Sequence, residues 1–235
     1  MADRFYASSI KEKGIQEIKG PEAHHLAVVS RAPKGARITL FSGDGWEYEA
    51  EVLEIRKNLV TLDVLSASLV SREPEVEVTA LCALPKSHRG DFLIEKMVEI
   101  GVKRFVPLVC ERSQYRIQQL NLDKIHRHVI EASKQCGRNK FMEIGDPIEL
   151  ANVLKQPLDS NSVYLIAHPG NQELRLASVP KCEKFKVLIG PEGGFSETEF
   201  QNAVQVGWQP TRLGESILRV ETAAIVFCSG LILKY

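Results

Sequence analysis

The rhythm of hydrophobic and polar positions changes once along this chain. Trp46, Tyr48, Ala50 and Val52 alternate with Glu47, Glu49 and Glu51, the period of two expected of a strand with one wet face. Short β-rich runs flank it, "RITLF" at 37–41 and "LVTLDV" at 59–64, and "SGDG" at 42–45 supplies a turn. Upstream, "PEAHHLAVVSR" at 21–31 opens with proline, which suits the first position of a helix. Residues 1–72 therefore predict a small β-barrel with one helix.

Beyond "SREPE" at 71–75 strands and helices alternate. "VEVTALCAL" predicts a strand, "GDFLIEKMVEIGV" an amphipathic helix ended by Gly101, "RFVPLV" a strand, and "NLDKIHRHVIEASKQCG" a helix ended by Gly137. "SVYLIAH" and "FKVLIG" are apolar strands joined by a helix-poor link. "SETEFQNAVQVG" is a helix, "QPTRLG" a short strand, and 219–234 a last helix. Such alternation argues for a mostly parallel α/β sheet, so residues 73–235 form a second domain.

Three strand ends stand out. In "LIGPEGGFSETEF", 188–200, Ser196 and Glu199 form a capping box, and Phe195 and Phe200 stand where a hydrophobic staple closes around it, so a helix starts at about Glu197. The stretch Gly190, Pro191, Glu192, Gly193, Gly194 then links the carboxyl end of a buried strand to that helix, where α/β sheets bind ligands. It has no Lys-Ser/Thr and no G-x-G-x-x-G, and Glu192 would repel a phosphate. An uncharged or cationic ligand suits it; a glycine turn without a ligand reads equally well. "RLGESILRVETAAI", 212–225, repeats the plan with Gly214, and with Arg219, Glu221 and Thr222 at a helix start. Ile217 and Leu218 either line a flat ligand or plug the core, and Arg219 and Glu221 either act on a substrate or pair with each other. The third end, "LIAHPG" at 165–170, closes on His168.

Composition narrows the class. At 44% hydrophobic and 26% charged residues the chain is an ordinary globular protein. "MADRFY" has no apolar leader core, and the longest apolar stretch, 223–233, contains Ser229 and Gly230 and falls short of the ~20 residues of a membrane span. A cytoplasmic protein is expected. Cys82, Cys110, Cys136, Cys182 and Cys228 form no C-x-x-C pair, and His126 and His128 fall on different sides of a helix. Neither a disulfide framework nor a metal site is expected. The zero net charge excludes a wholly basic coat, yet 103–140 hold nine Lys or Arg against three acids, and 43–100 twelve acids against six bases. That segregation makes either a phosphate-binding face or a solvated face of ion pairs.

"LIGPEGGFSETE" together with "LGESILRVETAA" resembles the ribosomal RNA small-subunit methyltransferase E family, of the SPOUT superfamily. "EAHHLAVVSRAPKGARITLFSGDG", "ALPKSHRGDFLIEKMVEIGVKRFVPLVCERSQ" and "EASKQCGR" extend the resemblance over nearly the whole chain. The resemblance implies methylation of N3 of a uridine in 16S rRNA of the 30S subunit, with S-adenosylmethionine (SAM) as donor. It also implies an RNA-binding PUA-like barrel, a SPOUT α/β domain with a trefoil knot, and a homodimer. Leu165, Ala167 and His168, the Gly190–Gly194 stretch, and Leu213, Gly214, Ile217 and Leu218 would surround SAM.

Uridine N3 must lose a proton to become a nucleophile. Glu221 is expected to act on that proton, and Arg219 and Arg138, the latter from either subunit, to hold the uracil oxygens. His25, Arg31, Arg112, Arg116 and Arg127 are expected to contact RNA, with no DNA, membrane or metal partner. The alternatives are 2′-O-ribose methylation on the same fold and an RNA-binding assembly factor without catalysis. The chain departs from the family pattern at Ser216, where the family carries arginine, and in "NKFMEIGDP" after Arg138.

Overall fold

The computed structural model describes residues 4–30, 32–56, 58–170 and 174–234. The chain divides into two compact units, residues 1–73 with 130–141, and residues 74–129 with 142–235.

The first unit is built on a five-stranded sheet. Its strands are β1 (Arg4–Tyr6), β2 (Gly14–Lys19), β3 (Arg37–Phe41), β4 (Trp46–Arg56) and β5 (Leu59–Leu69), in the order β1-β3-β4-β5-β2. β1 runs parallel to β3 and the other pairs are antiparallel. The alternation in β4 holds from Tyr48 onward, where Tyr48, Ala50 and Val52 are buried and Glu49 is exposed. Trp46 departs from it and is 39% exposed, because it pairs with Leu69 at the end of β5, itself exposed. Register shifts at Glu49/Ala50 and Val52/Glu54 bend the two long strands, which close over Phe5, Leu26, Leu40, Val52 and Leu62.

The helix expected over 21–31 is shorter and wider than its pattern suggests. α1 (Pro21–His24) passes into a π-turn, His25–Val29, in which the Ser30 N–H donates to the His25 carbonyl. The segment 130–141 completes this unit. Asn139 Nδ2 donates to the Val70 carbonyl at 2.8 Å, and the Phe141 ring packs against Tyr6 and Phe41. Phe141 lies where a side chain on Gly43 would stand, with its ring 2.1 Å from the position of a Cβ.

The second unit is a parallel sheet, as the alternation of elements predicts. Its elements are β6 (Glu77–Cys82), α2 (His88–Glu99), β7 (Arg104–Val109), α3 (Leu122–Cys136), β8 (Glu143–Ile144), β9 (Ile148–Glu149), α4 (Leu150–Val153), β10 (Val163–Ala167), β11 (Lys184–Ile189), α5 (Glu197–Gln205), β12 (Gln209–Thr211) and α6 (Val220–Ile232). The last turns of α3 belong to the first unit. The strand order is β12-β10-β11-β6-β7-β8, with β9 also on β7. One sheet face, with Leu81, Val106, Ile166 and Leu188, packs on Leu150 and Val153 of α4, Phe200 and Ala203 of α5, and Trp208. On the other side α6 lies against β6 and β11, and α2 lies against α6.

Strand order matters most for function. β10 sits between β12 and β11, and β6 borders β11. Because all four run parallel, their carboxyl ends emerge at one edge of the sheet, the usual ligand-binding edge of such folds.

Candidate active site

The three strand ends read from the sequence converge. Ala167 and His168 at the end of β10, Gly190 to Phe195 after β11, and Leu213, Gly214 and Ser216 to Arg219 after β12 line one cavity of about 540 Å³. The wall after β11 is set by local structure. Ser196 caps α5, its Oγ accepting from the Glu199 N–H at 3.3 Å while Glu199 Oε2 accepts from the Ser196 N–H at 2.9 Å. The preceding turn closes through the Gly194 N–H on the Pro191 carbonyl at 2.8 Å, and Gly194 has φ +68°, a conformation that favours glycine.

The wall after β12 is apolar and open. Ile217 is 86% exposed and lines the cavity, so it faces a ligand space and does not plug the core. Leu218 lines the same space and is half-buried. On the β10 side the His168 ring stacks on Phe200, 4.0 Å between centroids, and its Nδ1 accepts from the Gly170 N–H at 3.1 Å. Burial lowers the imidazole below its ordinary value, with Glu197 pulling the other way.

A second cavity, of about 600 Å³, adjoins the first along Ile217, Leu218 and Arg219. Its remaining lining is His88, Arg89, Phe92, Glu221 and Thr222, from the first turns of α2 and α6. Glu221 is only 7% exposed, and its Oε2 is buried without a hydrogen-bond partner. Arg89 Nη1 stands 4.0 Å from that oxygen, and Arg89 Nη2 donates to Glu192 Oε1 at 3.1 Å. The charge on the glycine turn is therefore matched by a guanidinium, which the sequence reading did not foresee. Glu221 faces Arg89, while Arg219 is exposed at the N-cap of α6.

Arg89 is a lining residue of this site that sequence reasoning missed. It stands in the first turn of α2, the helix that follows β6, and it reaches the site because β6 borders β11, which no local sequence signal announces. Behind the site, burial pushes the Cys82 thiol well up and the Cys228 thiol up to about 12, so neither is a nucleophile at neutral pH. Among the described residues no group of three His, Cys, Asp or Glu could hold a metal ion, and no helix is long and apolar enough to cross a membrane.

The remaining predicted residues fall elsewhere. Leu165 is fully buried and is not part of the cavity wall, which begins at Ala167. It lies two residues before the end of β10, paired with Val187 inside the sheet. Arg138 belongs to the first unit, 4% exposed, where Nε and Nη2 reach the two carboxylate oxygens of Glu73 at 2.8 and 2.6 Å. His25 lies in the π-turn of that unit, its ring beside Phe5 and its Nδ1 3.4 Å from Lys134 Nζ. Arg31 lies outside the described residues. Arg116 and Arg127 are exposed in the second unit, at a 3-10 turn and on α3, and Arg112 donates to the Gly193 carbonyl.

Comparison with known proteins identifies the family. Residues 72–232 match the family described as RNA methyltransferase domain, and residues 18–65 the RNA methyltransferase PUA domain. The ribosomal RNA small subunit methyltransferase E of Buchnera aphidicola is 28% identical over 88% of this chain and 83% of its own length. That of Bacillus subtilis is 26% identical over 94% and 91%. The same enzyme from Neisseria gonorrhoeae, solved bound to S-adenosyl methionine, superposes with a TM-score of 0.91 at 27% identity, covering 100% of this chain and 98% of that one. The Legionella pneumophila protein Lpg2936, solved with bound cofactor SAM, gives 0.90 at 30% identity with the same coverage. This chain belongs to the RNA methyltransferase domain family and groups with the ribosomal RNA small subunit methyltransferase E proteins.

Proposed function

We propose that this chain methylates N3 of a uridine in 16S rRNA of the small ribosomal subunit, with SAM as the methyl donor. The observation that carries the reading is the pair of cavities joined along Ile217, Leu218 and Arg219, one walled by glycine turns and the other lined by Glu221.

The first cavity suits the donor. Its volume of about 540 Å³ lies within the range of roughly 300–1,000 Å³ of small-molecule sites. Apolar side chains flank one side and glycine backbone the other. Gly214 is the informative residue: it has no positive φ, and nothing lies within 4 Å of where its Cβ would stand. Neither packing nor a positive φ requires glycine there, which supports a ligand pressed against the backbone. SAM bound there supplies an electrophilic methyl group on a positively charged sulfur.

The chain's own residues prepare the acceptor. N3 lies on the pairing edge of uracil, so the base must be unpaired or flipped to reach the second cavity. Phe92, 44% exposed in its lining, offers a ring for the base to stack on. Glu221, which lines the second cavity, accepts the N3 proton. Arg219 donates to a uracil oxygen as negative charge spreads from N3. Exposed Arg116 and Arg127, with the barrel unit, carry the phosphates. A homodimer and a trefoil knot belong to the same reading and rest on the resemblance.

The test is transfer from labelled SAM to 30S subunits lacking the modification, with the product nucleoside identified by mass spectrometry. 3-Methyluridine is the expected product. A 2′-O-methylated nucleoside would replace the reading with ribose chemistry, and SAM binding without transfer would leave an assembly factor.

A further inference from the structure

We propose that Arg89 is a positioning residue that couples the glycine turn of the cofactor cavity to Glu221 in the acceptor cavity. The inference rests on the methyltransferase reading above and adds to it a link between its two halves.

The geometry gives one guanidinium two carboxylates. Nη2 is hydrogen-bonded to Glu192 at 3.1 Å, and Nη1 stands 4.0 Å from Glu221 Oε2, within ion-pair reach but beyond a hydrogen bond. Glu192 lines the first cavity and not the second; Glu221 lines the second and not the first. Arg89 is therefore placed to transmit a displacement of the glycine turn to Glu221. A buried carboxylate oxygen with no hydrogen bond is costly unless a cation is held near it, so the position of Arg89 matters to Glu221 in particular.

The turn that delivers Arg89 is itself tightly determined. Ser87 has φ 61° and ψ −149°, a sparsely populated conformation for a residue with a side chain. Gly90 admits no Cβ, which would lie 2.7 Å from the Pro85 carbonyl oxygen, and its N–H donates to the Ser87 carbonyl at 3.1 Å. The backbone on both sides of Arg89 is thus fixed, as expected where a side chain must be aimed and held.

Arg89→Met, Arg89→Lys, Glu192→Gln and Glu221→Gln in the full chain test the coupling through SAM affinity by calorimetry and methyl transfer to 30S subunits. Glu221→Gln lies outside the cofactor cavity, yet it should shift SAM affinity by about threefold or more when Arg89 is present, and by less than that in an Arg89→Met background. With saturating SAM, Arg89→Met should lower kcat by about 10–100-fold, the scale on which misplaced groups act, with a smaller change in KM for SAM. Arg89→Lys should restore little, because an ammonium cannot fork between two carboxylates.

Should Arg89→Met fail to fold, Glu192→Gln removes the other end of the link and should lower kcat as well. Additive effects of Arg89 and Glu221 on SAM affinity, or kcat within twofold of wild type in Arg89→Met or Glu192→Gln, overturn the proposal. A wild-type chain that methylates no RNA would defeat the methyltransferase reading instead, and the binding cycle would still judge Arg89.

Discussion

Arg112 Nη1 donates to the main-chain carbonyl of Gly193 at 2.8 Å, which ties the turn after β7 to the glycine turn after β11. The neighbouring Glu111 N–H donates to Glu199 Oε1 at 2.8 Å, so the same turn also holds the first turn of α5. A Cβ on Gly193 would approach Arg112 Cβ to 3.2 Å, which shows how closely the two turns pack. Arg112 is thus an exposed residue with one guanidinium nitrogen engaged by the glycine turn, at a position whose sequence context suggests RNA. Arg112→Ala should weaken SAM binding by about 1 kcal/mol, near fivefold, the net worth of one ordinary hydrogen bond. Calorimetry reads this directly. If Arg112 also meets a phosphate, the salt dependence of RNA binding will fall by about one unit of slope; an unchanged slope assigns it to the glycine turn alone.

Glu221→Gln keeps the shape of the second cavity and removes the proton acceptor. Single-turnover methyl transfer with saturating SAM should fall by about 10²–10⁴-fold, the range of general base catalysis. Unchanged single-turnover rates would take Glu221 out of that role and leave it a buried partner of Arg89.

Two glycines of the cofactor cavity should respond oppositely to alanine. Gly194 sits at φ +68°, so Gly194→Ala should cost about 1–2 kcal/mol of stability from left-handed backbone strain. Gly214 has open space around its missing Cβ and no such φ. Gly214→Ala should leave thermal unfolding unchanged while SAM affinity drops at least about tenfold, because the methyl group occupies ligand space. Equal SAM affinity in Gly214→Ala would show that the ligand does not touch this strand end.

What could be read in advance follows the range of each interaction. The start of α5 was legible because a capping box is written within four residues, Ser196 to Glu199. The parallel sheet was legible because strands and helices alternate along residues 73–235. The role of Arg89 was not, because it depends on β6 lying beside β11, and strand order is not a local property. The bond from Arg112 to the Gly193 carbonyl was not legible for the same reason: an arginine bonded to a main-chain carbonyl carries no sequence mark of it. Leu165 entered the predicted wall through its nearness in sequence to His168, though it pairs with Val187 inside the sheet.

Arg138 offers a separation of structure from catalysis. Its side chain is 5% exposed and bound in a two-pronged ion pair to Glu73. Removing one partner of such a buried pair costs about 3–5 kcal/mol, so Arg138→Met should lower the urea midpoint strongly, and Arg138→Met with Glu73→Leu should recover much of the loss. Methyl transfer per folded molecule should then stay near wild type in the double variant. A fall of about 10²-fold in that folded variant would instead give Arg138 the catalytic role its sequence context suggests.

His168 should make the proposed cofactor cavity sensitive to mild acid. Burial holds its imidazole below the ordinary histidine range, although Glu197 opposes the shift. Between the folded value and the ordinary one, the unfolded chain binds a proton that the folded chain does not, so this residue's contribution to stability is lost as pH falls through that window and returns as pH rises. The same proton would put a positive charge in a cavity proposed to take a positively charged sulfur, so SAM affinity should weaken about threefold or more from about pH 7.5 to about pH 5.5. In His168→Gln, which keeps a planar polar group but cannot titrate, the affinity should be nearly flat over that interval. A wild-type profile as flat as that of His168→Gln would show that the histidine stays neutral with the ligand bound, or that the charged sulfur lies far from the end of β10.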